Sequence, residues 1–167
     1  DRETRKRYVS SNQTLVEKSA SARIEEAWVT SFGHHSDAGH LAGSPLTFHV
    51  RVAAVAPVTQ PALGIGIDTF SGQRVVTLHS TFDSLASIPD SASGELLFAC
   101  ETQDLYLAPG DYKVKLSLEG NSSVIDVIES AFFFSIIGSD FYANGGKLGR
   151  GVILSRQQWN VVTQQSR

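Results

Sequence analysis

The clearest pattern of apolar and polar positions lies after residue 105, where a tight turn leads into an alternating segment. Pro109 fixes φ for the first corner of the turn, and Gly110 supplies the positive φ of the second. Beyond the turn, polar residues alternate with the apolar residues Tyr112, Val114, Leu116 and Leu118. A period of two predicts an antiparallel strand with one buried face.

Similar short runs recur along the chain, each bounded by Gly, Pro, Ser or Asp, whereas the helical period of 3.6 is scarce. They cover residues 23–32, 46–56, 62–70, 74–79, 95–102, 111–118 and 132–137. Seven strands separated by turns predict an all-β domain, a two-sheet antiparallel β-sandwich of the immunoglobulin-like or jelly-roll type. Residues 124–131 interrupt the pattern and fit either one turn of helix or an extended corner.

The inward-facing residues of these runs form the predicted core. Besides the alternating set above, they are Leu46, Phe48, Val50, Val52, Leu63, Ile65, Ile67, Leu96, Phe98, Cys100, Phe134 and Ile136. A chain of 167 residues buries roughly two-thirds of the surface that its unfolded state exposes, so this core suffices without disulfides.

Two glycines, Gly64 and Gly66, leave the outer side of their strand bare. Glycine inside a strand favours a bulge or the close approach of another backbone. A ligand groove above these residues is the less favoured alternative.

Composition limits the compartment and the partners. The single cysteine, Cys100, cannot form an intramolecular disulfide, which favours the cytoplasm, and we expect it to be a small buried hydrophobe. The net charge of -3 argues against nucleic acid, and the basic run at residues 2–7 reads as a solvated tail. No apolar stretch is long enough to insert into a membrane.

Catalytic signatures are absent from the sequence. It contains no Walker-type phosphate loop, no nucleophile elbow and no zinc-peptidase helix motif. We therefore predict a non-catalytic domain without a cofactor, and a glycosidase is a distant third possibility because its carboxylates cannot be paired from sequence.

One loop concentrates possible metal ligands, namely His34, His35, Asp37 and His40. Imidazoles and a carboxylate at such spacing are compatible with Zn²⁺ or Ni²⁺. The surrounding Gly and Ser residues give the loop little rigid support, so we favour a flexible polar hairpin and predict no metal site.

Trp28 is the candidate binding residue of the first strand. If its neighbours Ala27 and Val29 face the core, the indole must point to the other side with Glu26 and Thr30. An outward indole is a platform for the apolar face of a sugar ring. The equally weighted alternative is that a later segment or a partner subunit covers it.

The two ends of the chain differ from its centre. Residues 1–22 are polar and are predicted to be a linker, with at most a short helical stub near residues 15–18. Residues 23–137 form the predicted sandwich domain. Residues 138–167 form a predicted tail with a Gly-rich loop and two small apolar clusters. The second cluster contains Trp159, which we expect to anchor its own segment, either within the protomer or across a dimer. The chain starts at Asp1 and has no methionine, which is typical of a piece of a longer protein.

From about residue 23 to residue 159 the sequence resembles the C-terminal polysaccharide-binding domain of the ATP-binding subunits (Wzt type) of bacterial O-antigen ABC exporters. The matching elements are Arg23-Ile24, Gly64-Ile65-Gly66-Ile67 with Gly72, Gly94-Glu95, Leu105-x-Leu107-x-Pro109-Gly110-x-Tyr112, Asp126-x-x-Glu129-x-Ala131-x-x-Phe134-x-Ile136, and Gly151-Val152-Ile153-Leu154 with Trp159.

The resemblance implies a cytoplasmic β-sandwich behind a nucleotide-binding domain that this chain does not contain. Such a domain recognises a lipid-linked O-antigen polysaccharide and presents it to the transmembrane permease at the inner face of the inner membrane. It also implies a homodimer, in which the tail beyond residue 146 is a plausible exchanged strand.

The first functional hypothesis is therefore a glycan-binding module of an O-antigen exporter. Trp28 would stack on a sugar, and its neighbour Thr30 together with His49, Arg51 and Asp68 would bind hydroxyl groups. The alternative is a protein-interaction sandwich without a glycan ligand, whose apolar tail and open sheet edge recruit another chain.

Overall fold

The computed structural model describes residues 6–7, 21–32 and 38–162, which form two β-sheets. Sheet A contains, in spatial order, β1 (Lys6–Arg7), β2 (Ala22–Ser31), β4 (Leu46–Thr59) and β7 (Ser91–Glu101). Sheet B contains, in spatial order, β3 (His40–Leu41), β9 (Ser123–Ile137), β8 (Gly110–Gly120), β5 (Ala62–Thr69) and β6 (Arg74–His79). The predicted all-β two-sheet sandwich is confirmed.

Pairing is antiparallel throughout both sheets except between β3 and β9, which run parallel. A 3₁₀ turn, Ser80–Phe82, follows β6. Within the described residues no helix has the length and hydropathy to cross a bilayer.

The core lies between the two sheets, and both contribute the residues predicted from alternation. Phe48 of sheet A meets Phe134 of sheet B edge to face, with ring centroids 5.7 Å apart, and Tyr112 stacks on the same ring at 5.6 Å. The core residues predicted on β4, β5, β8 and β9 are buried. Those on β7, which is an edge strand of sheet A, are half-buried. The core prediction is confirmed, with a weaker contribution from β7.

Residues 124–131 belong to β9, which is a continuous strand, so the extended reading is correct and the helical one is wrong. Its pairing with β8 shifts register twice in this region. Asp126 there accepts a hydrogen bond from the Ile24 N–H across the sandwich at 2.8 Å. The interrupted pattern thus marks the place where β9 leaves regular pairing to contact sheet A.

The space above Gly64 and Gly66 is occupied by side chains of β6. A Cβ at Gly66 would lie 2.5 Å from the Arg74 guanidinium carbon, and one at Gly64 would lie 3.2 Å from the His79 ring. The register shift between β5 and β6 falls later, between Ile67 and Asp68. The predictions of a bulge or a backbone approach at these glycines are therefore wrong, because two long side chains need the room.

The predicted tight turn is a bend at Pro109 in the structure, and Gly110, with φ 156°, is the first residue of β8 and not the second corner of a turn. This segment is tied to the C-terminal tail. The Tyr112 hydroxyl donates to the Ala108 carbonyl at 2.6 Å, and burial raises the pKa of this phenol. Leu107 forms an isolated bridge with Ile153, and Leu154 is buried in the core. By contrast Trp159 is 83 % exposed, so the prediction that it anchors its segment fails within this protomer.

Most of the predicted linker lies outside the described residues, as do the proposed stub at residues 15–18 and the last five residues of the tail. The exceptions are Lys6–Arg7, whose backbone pairs with Glu26 and Ala27 of β2, and residues 21–22, of which Ala22 begins β2 and is buried in the core. The linker prediction is therefore wrong for Lys6–Arg7 and for Ala22, which are strand.

Candidate functional site

The candidate site lies on the outer face of sheet A, where β2 and β4 pair. Ala27 and Val29 are buried in the core, so the pleat turns Trp28 to the opposite side, as predicted. Trp28 is opposite His49 in the register, and Glu26 is opposite Arg51. The pairing therefore gathers side chains from both strands into one cluster.

The centre of the cluster is a stacked pair of rings. The Trp28 indole and the His49 imidazole are nearly parallel, with an interplanar angle of 7° and centroids 4.9 Å apart. Nε2 of His49 is 3.0 Å from the Thr30 hydroxyl, and Thr30 is buried beneath this contact. Trp28 is half-buried, so part of the indole surface stays accessible.

Arg51 lies beside this pair between two carboxylates. Its guanidinium contacts Glu26 at 2.9 Å and Glu95 at 3.0 Å, and its carbon is 6.0 Å from the Trp28 ring centroid. The Nε atom lies close to Glu95 without the alignment of a hydrogen bond. Glu26 is buried whereas Glu95 is largely exposed. Glu26 therefore holds the guanidinium in place, while other hydrogen-bonding groups can reach the contact between Arg51 and Glu95 from solvent.

Four of the five predicted residues, Trp28, Thr30, His49 and Arg51, thus lie together. Asp68 does not, because it is on β5 in the other sheet. Its buried carboxylate contacts Arg74 and lies 4.0 Å from the Lys113 ammonium. One sugar residue cannot reach both Asp68 and Trp28.

Sequence reasoning missed Glu95 as a partner of the cluster. Its contact with Arg51 follows from β7 pairing with β4, where Arg51 is opposite Leu97 and Ala53 is opposite Glu95. Only the order of strands in the sheet brings them together, and the sequence carries no local signal for that order. The stacking of His49 on Trp28 was missed for the same reason.

The histidine-rich loop lies largely outside the described residues, including His34, His35 and Asp37. His40 is described and is buried in β3, and its ring lies edge to face with that of Phe134, with centroids 6.5 Å apart. Among the described residues no three His, Cys, Asp or Glu side chains are grouped as metal ligands.

Cys100 is half-buried on β7. Burial, with a smaller contribution from the charge of Asp83, raises the pKa of its thiol above the ordinary value. A raised pKa keeps the thiol protonated and unreactive at neutral pH. This agrees with the expectation of a packing role.

An open groove of about 740 Å³ lies at one end of the sandwich. It is formed by the β4–β5 and β8–β9 turns and by the loop after β6, and it includes Asp83, Asp90 and Glu119. None of the five predicted residues lines it, and it contains no aromatic side chain. The groove is therefore separate from the candidate site.

Comparison with known proteins identifies the family. The model of the Wzt C-terminal domain family matches residues 15–151, most of the chain. The chain belongs to this family. Wzt C-terminal domains are non-catalytic and are associated with O-antigen export. The association with export is what the sequence resemblance implied.

Solved structures support the same fold. The crystal structure of the C-terminal domain of Wzt aligns with a TM-score of 0.72 at 17 % identity, covering 86 % of this chain and 85 % of that one. A Bifidobacterium dentium β-glucuronidase complexed with coumarin-3-O-glucuronide aligns with a TM-score of 0.42 at 18 % identity, over 70 % of this chain and 18 % of the enzyme. That second similarity is too weak to support a conclusion. The search of curated proteins found no match.

Proposed function

We propose that this Wzt C-terminal domain binds a lipid-linked O-antigen polysaccharide for export, with Trp28 as its platform. The observation that carries the proposal is the position of Trp28 on the outer face of sheet A, in one cluster with an imidazole, a guanidinium and two carboxylates. Membership of a family associated with O-antigen export supports it.

Each residue of the cluster has a distinct part in this proposal. The accessible part of the indole contacts the apolar face of a pyranose. Arg51 donates hydrogen bonds to the hydroxyl groups of the sugar, and Glu95 accepts hydrogen bonds from them. Thr30 is buried, so it acts by holding the His49 ring against Trp28. Affinity for one sugar is modest because a sheet face leaves much of the ligand in water, and specificity comes from several adjacent sugars.

Isothermal titration calorimetry, which needs no tryptophan as its reporter, tests the proposal, using O-polysaccharide released from the lipopolysaccharide of the source bacterium. The chain has two tryptophans, Trp28 and Trp159, so W159A is the matched control. We expect W28A to weaken binding about 10- to 100-fold, the loss typical of a truncated aromatic hot spot. W159A keeps wild-type affinity, and equal affinity in W28A would refute the assignment.

The cellular setting follows from the same family. The domain would act in the cytoplasm at the inner membrane, behind a nucleotide-binding domain and next to the transmembrane permease. It would work as a homodimer in which the tail is exchanged between subunits. The exposed apolar residues Trp159, Val161 and Val162 support this part, because such residues gain free energy when a second copy covers them.

The second candidate function is a protein-interaction sandwich, favoured by the same exposed tail and by β7. In the described part of the chain, β7 pairs on one side only, so its outer edge can accept another strand. Absence of any fluorescence or NMR response across a glycan array, with a stable protein complex formed through β7, would favour this function.

A further inference from the structure

The outer face of sheet B carries a second aromatic feature, far from Trp28 in the fold. Phe70 is 73 % exposed and Phe133 is 49 % exposed. Their ring centroids are 6.1 Å apart, and the ring planes are tilted by 51°. Two phenylalanines thus contact each other on a surface that faces solvent.

The backbone fixes both rings on this face. Phe133 lies between Phe132 and Phe134, which are buried in the core, so the pleat points its side chain outward. Phe70 follows β5 directly, and its N–H donates to the Asp111 carbonyl of β8 at 3.1 Å. Phe70 therefore continues the pairing of β5 with β8 beyond the last residue of the strand.

Polar groups with fixed positions surround the rings. Lys113 pairs with Phe133 on one side and with Asp68 on the other. Asp68 is held by Arg74 and Lys113, and Asp111 accepts a hydrogen bond from the Ser135 hydroxyl at 2.5 Å. The rings are thus bordered by carboxylates, a hydroxyl and cations, all held by their neighbours.

The charges around the rings balance. Asp68 and Asp111 offset Arg74 and Lys113, and the next pair along the face, Lys115 with Glu129, is an ion pair at 2.9 Å. A surface without net charge gives no electrostatic preference for an acidic ligand. Aromatic area together with hydrogen-bonding groups and no net charge suits a neutral sugar.

We propose that Phe70 and Phe133, with Asp68, Lys113 and Asp111, form a second glycan subsite that takes a neutral pyranose. The subsite rests on the proposed function, in that its ligand is a further part of the same polysaccharide. The Asp68 carboxylate is buried, so Asp68 acts in this subsite by holding Lys113 and does not contact the sugar itself.

The subsites lie on opposite outer faces of the sandwich. Packed sheets are separated by about 10 Å, so a short oligosaccharide cannot contact both. A long polysaccharide that passes around the edge of the domain can, and the second contact then forms at high effective concentration. We therefore expect long chains to bind more tightly than single repeats.

The experiment is an NMR titration of the isotope-labelled full chain with a single-repeat oligosaccharide prepared from the same O-polysaccharide. The wild-type protein should show two groups of shifted amides, one around Trp28 and one around Asp111 and Phe133. F70A should weaken the second group at least tenfold and leave the first unchanged, and F70Y should restore it. W28A should have the reverse effect.

Phe82 offers the matched control, because it is 74 % exposed and contacts one ring, that of His79. F82A should change neither group. Amide shifts confined to the Trp28 face would overturn the second subsite and leave the proposed function intact. Amide shifts confined to Phe70 and Phe133 would support this subsite and overturn the assignment of Trp28 as the platform. Amide shifts there that depend on protein concentration without glycan would mean that a second copy covers this face, which also overturns the subsite.

Discussion

Asp140 organises the loop that follows β9 through its own carboxylate. One of its oxygens accepts the N–H groups of Asn144 and Gly146 at 2.9 and 2.8 Å. These backbone hydrogen bonds lower the pKa of Asp140 below its ordinary value. Because the folded pKa is the lower one, the stabilisation is present above the unfolded pKa and is lost as pH falls through the folded pKa.

We expect the amide signals of Asn144 and Gly146 to titrate together at a pH below the ordinary pKa of an aspartate, because the pKa of Asp140 is lowered. In D140N the titration should vanish, and both amides should exchange faster with solvent at neutral pH because a neutral acceptor binds N–H groups more weakly. Two-dimensional NMR measures both effects, with the amides of β8 as the internal reference. Unaltered titration in D140N would contradict the assignment.

Side chains of β6 lie over the glycines of the neighbouring strand β5. The Arg74 side chain lies across Gly66, where it contacts Asp68 and donates to the Thr77 hydroxyl at 3.0 Å. Any side chain at Gly66 must displace the guanidinium and leave the buried Asp68 carboxylate poorly paired. The glycine is thus required by the neighbouring strand and not by a turn.

The G66A variant should therefore lower the free energy of unfolding by about 1 kcal/mol, because the guanidinium at the end of the Arg74 side chain can move and the main loss is its pairing with the buried Asp68 carboxylate. Gly138 provides the control, because a Cβ there would meet no atom within 4 Å and G138A should change stability by less than about 0.5 kcal/mol. Urea denaturation measures both. Equal stability of the two variants would show that the Arg74 side chain does not need the space above Gly66.

At the scale of the molecule, the tail is fixed up to a definite point. Leu154 is buried, and the Arg156 guanidinium carbon lies 4.7 Å from the Phe141 ring centroid and 5.7 Å from that of Tyr106. These cation–π contacts hold the chain against the domain. Beyond them the apolar residues of the tail are exposed.

We expect deletion of residues 157–167 to convert a homodimer into a folded monomer, because the exchanged segment would be lost and its anchor kept. Analytical ultracentrifugation over a range of concentrations measures the change. Deletion of residues 163–167 alone is the control and should preserve the dimer. A full-length chain that stays monomeric at every concentration would exclude the exchange.

The sequence by itself determined the strand-rich class, the inward set of core residues and the side of β2 that carries Trp28. These follow from a period of two, which is a local property of each strand. Among the strands, the alternation of apolar and polar residues was ambiguous at residues 124–131, where β9 changes register and contacts Ile24.

Only the tertiary structure decided which outward residues meet. It placed Asp68 with Arg74, joined Arg51 to Glu95, and filled the space above Gly66 with a side chain. It also brought Phe70 and Phe133 together across β8. Such contacts depend on the order and register of strands that are distant in the chain, and the alternation within one strand contains no information about its neighbours.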